Sequence, residues 1–596
     1  MSGSLFIVGG VLLALVALAR LFGLARFRIG WALYLTNVFW EVFPKKLGMG
    51  RCWVETLAAG LGLICIRLGG APWTLVGGLA AGVMVLEAVQ RLAVRLLFSE
   101  LRIPRLVYML EGPFVARLPR HQLGVLWVGR PISLELQVVN SSRQPWPNPL
   151  HVRLEAPAGW LQNSAIEQTI TPLPSGGVGR VSWTLRPNTA CSSGEWIIRI
   201  DGDQMVQGLR VSFDGCRRGG EARVVKAAIT RYPGGRKSAF VWRGDMDLYD
   251  VRTFQSIEGL ETTLGLAACY AFPQTMCLST RLSLDENAAR AFAAHQGLET
   301  GAADIPRFIE WLNCTVDLRH RAPWPARGAD KPYVMELGNH GHLHYDTAAA
   351  AAPENDWTSH AKMGAGRYPW MGEDTSSFAE QRDNILEAAR WCERLLGFVP
   401  RSWAKPGRCN DADTARAAEA AGCEVLSGSD IRVRDNVLLQ PPPHHPGGTN
   451  SVELTSRYPP DPQHGFHFFM LIFWLNRSRR LGRPMVFMCH QHMRQWDGPA
   501  CSLFTEAFLR RMLLDFHGDF YVDTLFGVGK YWREVLSPRT RRLSVLLAGS
   551  RLIVENRSDM NFDHVPVDLE LEDGARSTVL VSVRSGQQVK VDLQEK

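Results

Sequence analysis

The chain has 596 residues, 46% of them hydrophobic and 21% charged, with a formal net charge of +8. That length predicts three or four units rather than one domain. The modest charge gathers beside apolar segments, which argues for a membrane surface and against nucleic acid. Twelve cysteines with no Cys-x-x-Cys pair argue against a zinc finger or disulfide framework and lean toward a reducing compartment.

Residues 1–106 read as a membrane anchor. Leu5 to Leu24 is long enough to span and lacks the basic start and small-residue cleavage site of a signal peptide. Arg26 to Lys46 mixes aromatic and basic residues as an interfacial helix does. Trp53 to Leu68 and Trp73 to Val89 form an apolar hairpin around Gly69-Gly-Ala-Pro72, with a buried soluble helical hairpin as the alternative. Basic residues follow the first span (Arg26, Arg28, Lys45, Lys46, Arg51) and the third (Arg91, Arg95, Arg102, Arg105), while the hairpin turn carries none. The positive-inside rule then predicts an inner-membrane protein whose later domains face the cytoplasm.

Residues 107–215 alternate apolar and polar positions in Pro131–Asn140, Leu150–Glu155, Val178–Leu185, Trp196–Ile200 and Leu209–Phe213, with Gly, Pro, Asn and Ser between. About seven strands at this spacing predict an immunoglobulin-like β-sandwich. Such a domain can bind glycan or act as a spacer or a face for protein partners, and since none of its residues nominates a site the latter is expected. Asp214 to Lys226 reads as a polar linker.

From 220 to 538, apolar strands alternate with helices such as Ser377–Leu396 and Asp413–Ala421, the pattern of a β/α barrel. The run Ser238-Ala-Phe-Val-Trp242 leads into Arg243-Gly-Asp245-Met-Asp247, which places two carboxylates at a strand end. His340-Gly-His-Leu-His344 follows. One helical turn there would put both imidazoles on one face. A third element, Pro484-Met-Val-Phe-Met-Cys489, ends in His490-Gln-His492. After Arg539 four alternating segments predict a small β module over 539–596.

This order of motifs resembles the polysaccharide deacetylase family, carbohydrate esterases with a NodB-type domain, over roughly residues 225–535. Arg243-Gly-Asp245-Met-Asp247 resembles the variant of its first motif with one residue between the acids. His340-Gly-His-Leu-His344 is similar to its His-x-x-x-His metal motif, and His490 to its strand-borne histidine. The resemblance implies a distorted β/α barrel. Arg401-Ser-Trp-Ala-Lys405-Pro-Gly-Arg408 fills the slot of its Arg-Pro motif, but Ala404 stands where an arginine is usual, leaving Lys405, Arg401 or Arg408 to supply the charge.

The roles implied are a divalent metal, expected to be Zn²⁺, on Asp247, His340 and His344, with Asp245 as general base and His490 as the acid that protonates the departing amine. His492 shares the His490 face and could replace it, Arg243 is a supporting residue, and Asp430 could orient the acid. His342 is expected to support the metal ligands or face substrate. The expected activity is removal of N-acyl groups from amino sugars of a glycan or lipid-linked saccharide. A catalytically inactive glycan-binding or assembly protein is the alternative. No Gly-x-Ser-x-Gly elbow is present, which disfavours a serine esterase.

Overall fold

A computed structural model describes residues 106–593 apart from 115–121, 143, 163–164, 203–204, 220–222, 247–256, 289, 291–303, 327–329, 344–376, 407–411, 429–440, 458–466, 490–505, 507–508, 510–511 and 513–515. The expected anchor lies outside the described residues except for Leu106, which opens the first strand. Among the described residues no helix is long and apolar enough to cross a membrane.

Two sheets form the sandwich. One has the order β1 (Leu106–Glu111), β3 (Ile132–Asn140), β7 (Val178–Leu185), β5 (Leu161–Gln162). The other runs β2 (Gln122–Trp127), β9 (Met205–Arg217), β8 (Gly194–Gly202), β4 (Leu150–Glu155), β6 (Glu167–Ile170). Alternation does the sorting: in β4, Leu150, Val152 and Leu154 enter the core while His151 and Arg153 stay outside. Trp160, Trp183 and Trp196 fill the centre, with Trp160 and Trp196 edge to face at 6.0 Å. The described residues thus form nine strands where about seven were expected.

Next comes a wholly parallel sheet: β11 (Ser238–Met246), β12 (Gln274–Leu278), β14 (Tyr333–Asn339), β15 (Ser402–Ala404), β16 (Val425–Ser427), β17 (Val452–Glu453), β18 (Ser456–Arg457) and β19 (Met485–Cys489). Two short strands, β13 (Val316–Leu318) and β20 (Phe520–Val522), flank β14 and the start of β11. β17 pairs with β16 and β18 with β19, and the two are separated on the chain only by Leu454 and Thr455. Among the described residues that single run links the two ends of the sheet, in the manner of a barrel with seven staves.

Helices α1 (Ile257–Cys269), α2 (Thr280–Leu284), α3 (Asp304–Thr315), α4 (Phe378–Leu396), α5 (Ala412–Ala420) and α6 (His467–Leu481) lie between the strands. α4 starts at a capping box, Ser377 with Glu380, and ends on Gly397. Below the barrel, α7 (Leu525–Tyr531) plugs its lower end. Glu336, inside β14, accepts the α7 backbone N–H of Phe526 at 3.0 Å and the hydroxyls of Thr275 at 2.9 Å and Ser402 at 2.5 Å. Burial raises its carboxyl to about 7, with those hydrogen bonds opposing the rise.

The C-terminal module pairs β21 (Leu543–Ala548), β22 (Arg551–Asn556) and β25 (Gln588–Asp592) in one sheet. A second sheet joins β10 (Val224–Ala228), β23 (Phe562–Leu571) and β24 (Arg576–Val583). This corrects the linker reading of 214–226: β9 runs to Arg217, and Val224 begins a strand bonded to β23. One apolar cluster joins Val125 and Trp127 of the sandwich, Val241 and Phe526 of the barrel and Val554 and Leu569 of the module. Arg236 also grips Glu111 with two bonds of 2.5 and 2.6 Å. The sandwich is packed onto the barrel and the module.

Candidate active site

The upper ends of the barrel strands collect the polar residues. Register sets Asp245 beside Cys277, Leu278 beside Asn339, Asn339 beside Trp403 and Ala404 beside Ser427. β11 and β14 are two strands apart, about 10 Å between backbones, a gap that inward side chains can bridge. Such a rim is where a β/α barrel gathers its chemistry.

Asp245 is 3% exposed. Its Oδ2 accepts from Nη2 of Arg243 at 2.6 Å, and its Oδ1 is buried with no hydrogen-bond partner among the described residues. Arg243 is fully buried and also donates from Nη1 to the Ser427 carbonyl at 3.0 Å and hydroxyl at 2.7 Å. The strand period explains the pair, since residues two apart share a face. Arg243 is thus the guanidinium that meets Asp245. Arg401 is engaged elsewhere, with Glu424 and Asp559 and over the Phe526 ring at 4.9 Å. Lys405 donates to Thr414 at 3.0 Å, and no ion pair joins it to Asp245 among the described residues.

His340 is 1% exposed, just past the end of β14. Its Nδ1 lies 2.6 Å from the Ala404 carbonyl oxygen. A carbonyl can only accept, so Nδ1 carries a proton, which leaves Nε2 as the nitrogen available to a ligand. That is the tautomer of a metal-ligating histidine. Ala404 therefore contributes its backbone, not its side chain.

The expected helical turn after His340 is not formed over its first residues. Gly341 has φ +86, a left-handed conformation that glycine adopts without strain. Its N–H is held by Asn339 Oδ1 at 2.8 Å. Asn384 of α4 fastens the same turn, accepting from Leu343 N at 2.7 Å and donating to Leu343 O at 3.2 Å. The carbonyls of Gly341 and His342 accept from Thr280 and Arg281 at the start of α2. His342 stacks on Trp391 at 5.9 Å, with Thr280 Oγ1 3.0 Å from its Nδ1. Burial, and then the Arg281 charge, lower it to about 4, so the ring is neutral near pH 7.

Asp247, His344, His490, His492, Arg408 and Asp430 lie outside the described residues. Among the described residues no group of three His, Cys, Asp or Glu is close enough to hold a metal. The one described member of the expected ligand set, His340, fits a metal, since its Nδ1 is bonded to a carbonyl and its Nε2 is the nitrogen left to ligate. Two contributors escaped the sequence reading, Ser427 and Asn384. Ser427 ends a strand that was noted only for Asp430 further on.

No family model matches the chain, and no curated protein matches it. Among solved structures, the chain is similar to a "putative polysaccharide deacetylase" from Mycobacterium smegmatis, at 15% identity, covering 52% of this chain and 95% of that one, TM-score 0.33. A family 4 carbohydrate esterase from Streptomyces lividans in complex with acetate gives 11% identity over 46% and 88%, TM-score 0.23. A CE4 family pseudoenzyme from Bacillus anthracis gives 13% over 42% and 63%, TM-score 0.21. The barrel assignment rests on strand order rather than on these overlays.

Proposed function

We propose that the chain is a membrane-anchored, metal-dependent hydrolase that removes N-acyl groups from amino sugars of a glycan or lipid-linked saccharide. The observation that carries this reading is Asp245, buried at the barrel rim with one oxygen fixed by Arg243 and the other without a partner among the described residues. A divalent ion, zinc by ligand type, would be held by Asp247, His340 and His344 and would polarise the acyl carbonyl. Asp245 accepts the proton of the attacking water on Oδ1 while Arg243 keeps Oδ2 in place. His340 is held in its ligating tautomer by the Ala404 carbonyl. His490 donates the proton that the departing amine needs. The anchor over residues 1–106 and a cytoplasmic catalytic face belong to the same proposal, and they suit a lipid-linked sugar at the inner leaflet.

Metal analysis of the purified chain tests the ligand set. The wild type should carry close to one divalent ion and His340→Ala should lose it. Full occupancy in His340→Ala would overturn the assignment.

A further inference from the structure

We infer that Cys191 and Cys216 form a redox-labile cross-strand disulfide site in the sandwich. Cys191 lies in the turn between β7 and β8, and Cys216 lies near the end of β9. They exchange both backbone hydrogen bonds, Cys191 N to Cys216 O at 3.0 Å and Cys216 N to Cys191 O at 2.8 Å. Residues paired in that way sit about 5.5 Å apart at Cα with side chains on one face. That separation lies inside the window a disulfide needs.

The backbone beside the pair is built for close approach. Gly215 has φ +143, and a Cβ there would fall 2.8 Å from the Ser192 carbonyl oxygen and 3.1 Å from that of Cys191. No larger residue lets the two segments meet. Exposure divides the roles: Cys191 is exposed and Cys216 is buried. With a small-molecule disulfide such as oxidised glutathione as oxidant, the Cys191 thiolate attacks one sulfur and releases one glutathione thiolate. The Cys216 thiolate then attacks the Cys191 sulfur and displaces the second. Two protein thiols and one oxidised glutathione become one protein disulfide and two reduced glutathiones. A bridge across a hydrogen-bonded pair must pull the Cβ atoms together, and such strained bridges are the easily reduced, regulatory kind.

The bridge would strap the end of β9. One residue further on, Arg217 pairs with Asp573 of the C-terminal module and its carbonyl accepts from Val128. On a cytoplasmic face the pair would stay reduced at rest and close under oxidation.

The test uses the purified full chain, incubated with oxidised glutathione, alkylated and mapped by non-reducing peptide mass spectrometry. The expected product is a Cys191–Cys216 cross-linked peptide that dithiothreitol removes and Cys191→Ser abolishes. Cys191 is exposed, so that variant should fold. A stable glutathione adduct on Cys191, a bridge from Cys191 to another cysteine, or two thiols that both remain alkylatable would each overturn the inference.

Discussion

Replacing Arg243 by methionine isolates the contact that sets Asp245. The guanidinium is fully buried and makes a 2.6 Å bond to Asp245 and bonds of 3.0 and 2.7 Å to Ser427. Methionine fills much of the same volume but leaves a buried carboxylate and a serine carbonyl without their donor. Breaking one side of a buried ion pair costs about 3–5 kcal/mol. At ordinary urea sensitivities that moves the unfolding midpoint down by roughly 1–2 M. Arg243→Met with Asp245→Asn together should recover most of the loss, because the unpaired charge is gone. A four-member cycle of urea midpoints measures this coupling. If the double variant lost the sum of the two single losses, Arg243 and Asp245 would not act as a pair. Turnover should fall by about 10²–10³ in Arg243→Met, and Arg243→Lys should not restore it, since an ammonium cannot make the same forked set of bonds.

Glu336 gives a pH signature. Its carboxyl is raised from 4.5 to about 7 in the folded chain, so the folded state holds a proton that the unfolded state has released. Stability from this group is full below pH 4.5 and is lost as pH rises through 7, by about 3 kcal/mol in all. Glu336→Gln should flatten that slope in unfolding midpoints between pH 4.5 and 8, and an unchanged slope would remove Glu336 as its source. Asn384→Ala, which frees the Leu343 turn, should weaken metal binding about 10–100-fold in a chelator competition; unaltered affinity would show that the turn needs no such brace. A reporter active only in the cytoplasm, fused after Lys596, should give signal. Signal only from an exterior-active reporter would move the substrate to an exported glycan.

Much of the scaffold could be read from pattern. β4 and β7 alternate because one face meets the core and the other water, so their period shows. β1 and β2 do not alternate, since each is covered on both faces. In β1, Leu106 and Leu110 enter the sandwich core while Val107 packs on the barrel. In β2, Leu126 enters that core while its neighbours Val125 and Trp127 face the cluster shared with the C-terminal module. β10 was hidden for another reason: its partner β23 lies more than 300 residues away, and a five-residue strand carries little local signal. At the site, Asp245 and His340 were legible as strand-end residues. The Arg243–Asp245 pair obeys the two-residue strand period, yet the sequence reading looked to Lys405, Arg401 or Arg408 for that charge. Ser427 and Asn384 were not legible, because each matters only through a neighbour distant in the chain. The turn after His340 misled, because four-residue spacing suggests a helix whereas Gly341 takes a positive φ.

The central claim is that Asp245 and His340 belong to one hydrolytic site acting on an N-acylated amino sugar. Acid released from an N-acetylated amino-sugar oligomer or lipid-linked saccharide by the purified, zinc-supplied chain tests it most directly. Acetate should form with the wild type. Asp245→Asn should cut the rate by about 10²–10⁴ while keeping its metal, and His340→Ala should lose both metal and turnover. Undiminished release by Asp245→Asn, or no release by a wild type carrying its full metal, would contradict the account.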